Sequence, residues 1–169
     1  MTTISADYAR ISVEAGNSFY EIAQVKAEGR EDNLLLAIEA YRRALSFYTL
    51  KRFPTDYAMT QNNLGIAYGG LADVREKEAN LGLAVAAYQE ALKVRTLAAF
   101  PTDYGGTSLN LGRAYLRLAE LAAGGKRATT LAQAEAALAE SVRAFEQEKL
   151  PSWREAAREA LAQARRLKG

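Results

Sequence analysis

The residues that could carry chemistry are few in kind. The 169-residue chain contains no histidine and no cysteine, which removes Ser-His and Cys-His nucleophiles, thiolate chemistry, disulfides and the usual zinc and iron–sulfur ligands together. Carboxylate pairs and lysines remain, as in glycosidase or Schiff-base chemistry. The acids Glu39, Glu90, Glu140 and Glu146 fall on outward faces of their helices, however, and gather into no cluster, so no catalytic residue, metal site or cofactor is expected. Gly124-Gly125-Lys126-Arg127 echoes a phosphate loop, but Glu120 occupies the first glycine position and Arg127 that of the Ser/Thr, and no strand precedes it. Residues 149–168 hold six basic side chains against two acids. Trp153 is the only aromatic among them, so stacking platforms for nucleic acid are missing and ordinary ion pairing on the helix surface is expected. What is left is recognition chemistry: amides at Asn17, Asn63 and Asn110, and guanidinium groups one turn apart at Arg113 and Arg117.

The elements that must hold these side chains follow from a repeat. Phe53-Pro54-Thr55-Asp56-Tyr57 returns 47 positions later as Phe100-Pro101-Thr102-Asp103-Tyr104. Upstream, Asn33-Leu34, Ala37, Tyr41 and Ala44 return as Asn80-Leu81, Ala84, Tyr88 and Ala91. Downstream, Asn63-Leu64-Gly65 and Ala67-Tyr68 return as Asn110-Leu111-Gly112 and Ala114-Tyr115. A weaker first copy lies 49 positions before the second, with Asp7-Tyr8-Ala9 and Gly16 set against Asp56-Tyr57-Ala58 and Gly65. Each copy has apolar residues at helical spacing, as in Leu64, Ala67, Tyr68 and Leu71. The pattern predicts two helices per copy, A and B: A1 at 5–27, B1 at 33–51, A2 at 54–76, B2 at 79–98, A3 at 101–123 and B3 at 129–149, with a last helix at 151–167. All three prolines stand at unit boundaries, where a helix's first turn accepts them. Asp7, Asp56 and Asp103 recur at helix starts, favourable against the positive end of the helix dipole. Gly69-Gly70 inside A2 costs about 1 kcal/mol per glycine relative to alanine, so either a ligand backbone or a packed neighbour approaches there. No stretch approaches about 18 consecutive apolar residues, and the N-terminus has no signal-like pattern. A cytoplasmic protein is expected, without membrane association.

In these residues the chain resembles the tetratricopeptide repeat (TPR) family: Leu64-Gly65 followed by Tyr68, then Ala84, Tyr88 and Ala91, then a proline opening the next unit. The resemblance covers almost the whole chain, as repeats at about 5–52, 53–99 and 100–149 with a capping helix at 151–167. It implies an all-α fold, a right-handed α-solenoid of helix-turn-helix repeats. Units in the family have about 34 residues, so these are longer, and are most similar to the long-unit repeats of bacterial multidomain proteins, often joined to caspase-like protease or signalling domains. The last segment sets Leu161 where the repeat has Leu64 but Arg165 where it has Tyr68, as a solvating cap does.

What the resemblance implies about function is a non-enzymatic scaffold that binds a peptide segment of a partner protein along the concave groove of the A helices. The family's groove register falls on Arg10, Val13, Asn17 and Tyr20, then Met59, Asn62, Asn63 and Ile66, then Leu109, Asn110, Arg113, Leu116 and Arg117. Asn63 and Asn110 share one register, like the asparagine ladder with which some members hold a peptide main chain; alternatively, they order each unit's own helices. A clamp for a C-terminal carboxylate is not expected, because its basic positions fall on Val13, Gly106 and Asn110. The alternative expectation is a self-associating structural or regulatory segment of a larger protease or signalling protein, pairing through an N-terminal edge where Ile4, Tyr8 and Ile11 are bare.

Overall fold

A computed structural model of the chain describes residues 5–168; Ile4 lies outside them. The described residues form seven helices and no strand: α1 Ala6–Val25, α2 Arg30–Leu45, α3 Pro54–Leu71, α4 Lys77–Leu92, α5 Pro101–Leu121, α6 Gly124–Gln147 and α7 Pro151–Lys168. The all-α expectation is met, with each A and B helix in its place. The chain divides into two compact units between Val94 and Arg95. In the first, α1 to α4 pack in sequence order, and α3 also touches α1. In the second, α6 packs between α5 and α7, and α7 also touches α5.

Each pair of helices closes over a glycine. A Cβ at Gly16 would stand 2.6 Å from the Tyr41 ring, and one at Gly65 would stand 2.6 Å from Tyr88. In the third pair the partner changes: a Cβ at Gly112 would meet Leu138 at 2.5 Å. The missing side chain lets a large one lie flat against the opposing backbone, while Ala44 and Ala91, both fully buried, keep the helices close. The repeat therefore conserves a fit of a large residue against glycine while exchanging the large residue.

Local chemistry sets the ends. Pro54 and Pro101 open α3 and α5, preceded by Phe53 and Phe100 with nearly identical backbones (φ −140°, ψ 64° and φ −142°, ψ 63°). Between A and B, Gly29 (φ 70°) and Glu76 (φ 43°), 47 positions apart, both take the left-handed conformation. Asn33 donates its side-chain N–H to the Gly29 carbonyl (2.8 Å), and Asn80 to that of Arg75 (2.9 Å). The same repeated asparagine thus ties down both turns.

Several expected boundaries move, among them the end of A2, where α3 stops at Leu71 and not at 76. Helices α2 and α4 stop at Leu45 and Leu92, about six residues early. In each connection a threonine four residues past the helix end starts a separate turn: Phe53 N–H donates to the Thr49 carbonyl and Phe100 N–H to that of Thr96, both at 2.9 Å. The hydroxyls of Thr49 and Thr96 accept from Arg52 N–H (3.3 Å) and Ala99 N–H (3.2 Å). Helix α6, conversely, begins at Gly124 and not at 129. Gly124 turns the chain with φ 53°, and the glycine-rich stretch becomes the helix's first turn.

Candidate functional site

In the first unit, three helices converge on two amides. Asn17 of α1 accepts through Oδ1 from Tyr41 Oη of α2 (2.8 Å) and from Asn63 Nδ2 of α3 (3.1 Å). Asn63 Oδ1 in turn lies 3.5 Å from Asn62 Nδ2. Gly16 positions this network: by admitting the Tyr41 ring against α1, it brings the phenol to the next residue, Asn17. Burial pushes the Tyr41 hydroxyl well above the ordinary phenol range, with Tyr20 and the Glu21 carboxylate adding to it. Tyr41 therefore stays a proton donor. Tyr20 is raised as well, by burial first, with Arg30 opposing and Asp73 adding.

Beside this network lies a cleft of about 120 Å³ lined by Asn17, Tyr20, Glu21, Tyr41, Asn63 and Ile66. Four of those six residues were expected groove positions. Its polar groups suit a peptide: Asn17 Nδ2 is a donor not used in the network, Glu21 is an exposed carboxylate, and Ile66 and Tyr20 form an apolar wall. Glu21 forms no ion pair among the described residues.

The other expected positions divide. Arg10 is exposed and paired with Glu14 at 2.6 Å, and Met59 is half-buried. Val13 and Asn62 are buried in the first unit. In the second unit Leu109 and Leu116 are buried, Asn110 and Arg117 are half-buried, and Arg113 is exposed. Val13, Asn62, Leu109 and Leu116 thus offer a ligand almost no surface. The spacing along each helix set which turn these side chains occupy, but not whether they keep a surface. At Gly70 close packing is what is found: an added Cβ would come within 3.1 Å of Leu34 on α2.

Two features were missed. Tyr57 donates to Glu90 (2.8 Å), which also holds Lys93 (2.5 Å); Tyr104 donates to Glu140 (2.9 Å), which also holds Arg143 (2.8 Å). Read as outward-facing, Glu90 and Glu140 in fact tie helix A to helix B. The signal was present, since both tyrosines belong to the repeated Phe-Pro-Thr-Asp-Tyr motif. Phe47, Tyr48 and Phe53 also form a cluster with centroids 5.0–5.8 Å apart, and Arg52 lies 5.3 Å from two of the rings.

The basic residues of α7 pair across to α6 rather than along their own helix: Arg165 and Lys168 reach Glu135 at 3.0 and 2.8 Å, and Arg158 reaches Glu146 at 3.5 Å. Among the described residues no three acids gather as metal ligands, and no helix is long and apolar enough to cross a membrane. No protein-family model matches the chain, and no curated protein matches it significantly.

Proposed function

We propose that the chain is a TPR-like helical repeat, of the right-handed solenoid kind that the resemblance implies, acting without catalysis as a protein-interaction module. Its ligand is a peptide segment of a partner protein, and its principal contact is the cleft between α1, α2 and α3. The observation that carries this reading is the fixed pair of amides at that cleft. Asn63 and Tyr41 hold Asn17 by its oxygen, so its N–H groups are aimed before a ligand arrives and little ordering entropy is lost on binding. Asn17 Nδ2 donates to a peptide carbonyl, Ile66 and Tyr20 take an apolar side chain, and Glu21 accepts from a peptide N–H or a cation.

A peptide array probed with the whole chain tests this. Positive peptides are then titrated against Ile66→Arg, which fills the cleft, and Asn63→Ala, which removes one of the two bonds that hold Asn17. Both variants are expected to weaken binding by about tenfold or more while retaining wild-type helicity by circular dichroism. Folded variants with unchanged affinity would rule the cleft out.

A further inference from the structure

One face of α1 is apolar, exposed and regularly spaced. Tyr8, Ile11, Ala15, Ser18, Ile22 and Val25 follow each other at steps of three and four, the spacing of a helix–helix seam. Ile11, Ile22 and Val25 are 54%, 38% and 79% exposed. The same register on α3, 49 positions on, is covered through its middle: Thr60, Leu64 and Leu71 are 0%, 7% and 4% exposed, on a helix that packs against α2, whereas Tyr57 is half-buried and Val74, past the helix end, is exposed. The stripe on α1 is therefore built like a packed face and is left without a partner helix among the described residues.

The partner's chemistry is written in the stripe's flank. Asp7, Glu14 and Glu21 run along one side of it at seven-residue intervals. Arg10 partly neutralises Glu14, whereas Asp7 and Glu21 have no ion pair among the described residues. At the position matching Glu21, α3 has Gly70, pressed against Leu34 of α2. Another unit of the same kind stacked on α1 would set a leucine against the Glu21 carboxylate, and burying an uncompensated charge is costly. A second copy fares no better. In an antiparallel α1–α1 pair each flank meets itself, acid against acid, and a parallel pair supplies only Glu21 with Lys26. We infer that this edge of α1 docks an amphipathic helix of another protein whose apolar face is bordered by lysine or arginine. This surface borders the peptide cleft and shares Glu21 with it, but Tyr8, Ile11, Ile22 and Val25 lie outside the cleft lining, and the inference does not rest on the cleft's reading.

The test uses two labelled synthetic helices with the same leucine seam, one flanked by lysine and one by glutamate, titrated by fluorescence anisotropy against the whole chain. The lysine-flanked helix is expected to bind at least about tenfold more tightly. Ile11→Asp should abolish that binding and leave cleft peptides unaffected, whereas Ile66→Arg should do the reverse. Glu21→Lys, conservative for folding at an exposed site, should shift preference toward the glutamate-flanked helix. Equal binding of the two helices, or retention by Ile11→Asp, would overturn the proposal. So would light scattering that finds a dimer dispersed by Ile11→Asp, because the occupant would then be a second copy.

Discussion

At the scale of single residues, one glycine and one left-handed glutamate set clear expectations. Gly65 has no room for a methyl group, since its Cβ would stand 2.6 Å from the Tyr88 ring. Tyr88 is itself buried, so it cannot swing away, and Gly65→Ala is expected to destabilise the protein by about 1–3 kcal/mol. Glu76 is the opposite case. Its backbone, at φ 43°, ψ 51°, costs a residue with a Cβ about 1–2 kcal/mol, and the matching position in the preceding turn is Gly29. Glu76→Gly gives up an exposed ion pair with Arg75, worth little, and some unfolded-state entropy. It is expected to stabilise by about 0.5–1 kcal/mol. Urea unfolding monitored by circular dichroism measures both changes against the wild type.

At the scale of elements, the bonds between A and B helices make stability depend on pH at both ends. Lys93 first, then Tyr57, hold the Glu90 carboxylate below its ordinary range. A depressed folded-state pKa contributes stability above the unfolded value, about 4.3, and that contribution is lost as pH falls through the folded value. Glu90→Gln should therefore flatten the acid limb of the stability profile. The tyrosines act in the other direction. Burial raises Tyr41, Tyr20, Tyr57 and Tyr104, so they favour the folded state below about pH 10 and the benefit is lost above it, where the unfolded chain ionises first. Thermal melts across the alkaline range, read alongside tyrosinate absorbance, should show tyrosinate appearing together with loss of helix. Tyr41→Phe should shrink that coupling and also lower stability at neutral pH by about 1 kcal/mol, through the lost bond to Asn17.

At the scale of the whole molecule, the second unit depends on its last helix. Ala157, Ala160, Leu161 and Ala164 of α7 are buried, while Glu155, Arg158, Glu159 and Arg165 remain exposed. The helix closes one apolar face against α6 and presents a polar one. Truncation after Leu150 is expected to uncover the face of α6 and release Glu135 from Arg165 and Lys168. Size exclusion with a thermal melt should find aggregation and a lowered transition. Removing α7 while leaving the transition unchanged would show that α6 does not need the cover.

The amino-acid sequence by itself determined the helical class and the order of the elements. These rest on short-range periodicity and on a motif that recurs at 47 positions, and both are visible without coordinates. The resemblance to the repeat family also implied that Asn17, Tyr20, Asn63 and Ile66 share one groove, and these four line the cleft. Only the tertiary structure decided which groove positions keep a surface. Val13 and Asn17 are one helical turn apart on the same helix, yet one is buried and the other lines the cleft, because exposure depends on the neighbouring helices and not on α1's own pattern. The same holds for Glu90, which is polar and repeat-edge by sequence but is held by a tyrosine 33 positions away. The edge of α1 carries the point furthest. Its apolar spacing is legible in the sequence, but its exposure is not, since the matching face of α3 has the same spacing and is covered by a helix that α1 lacks.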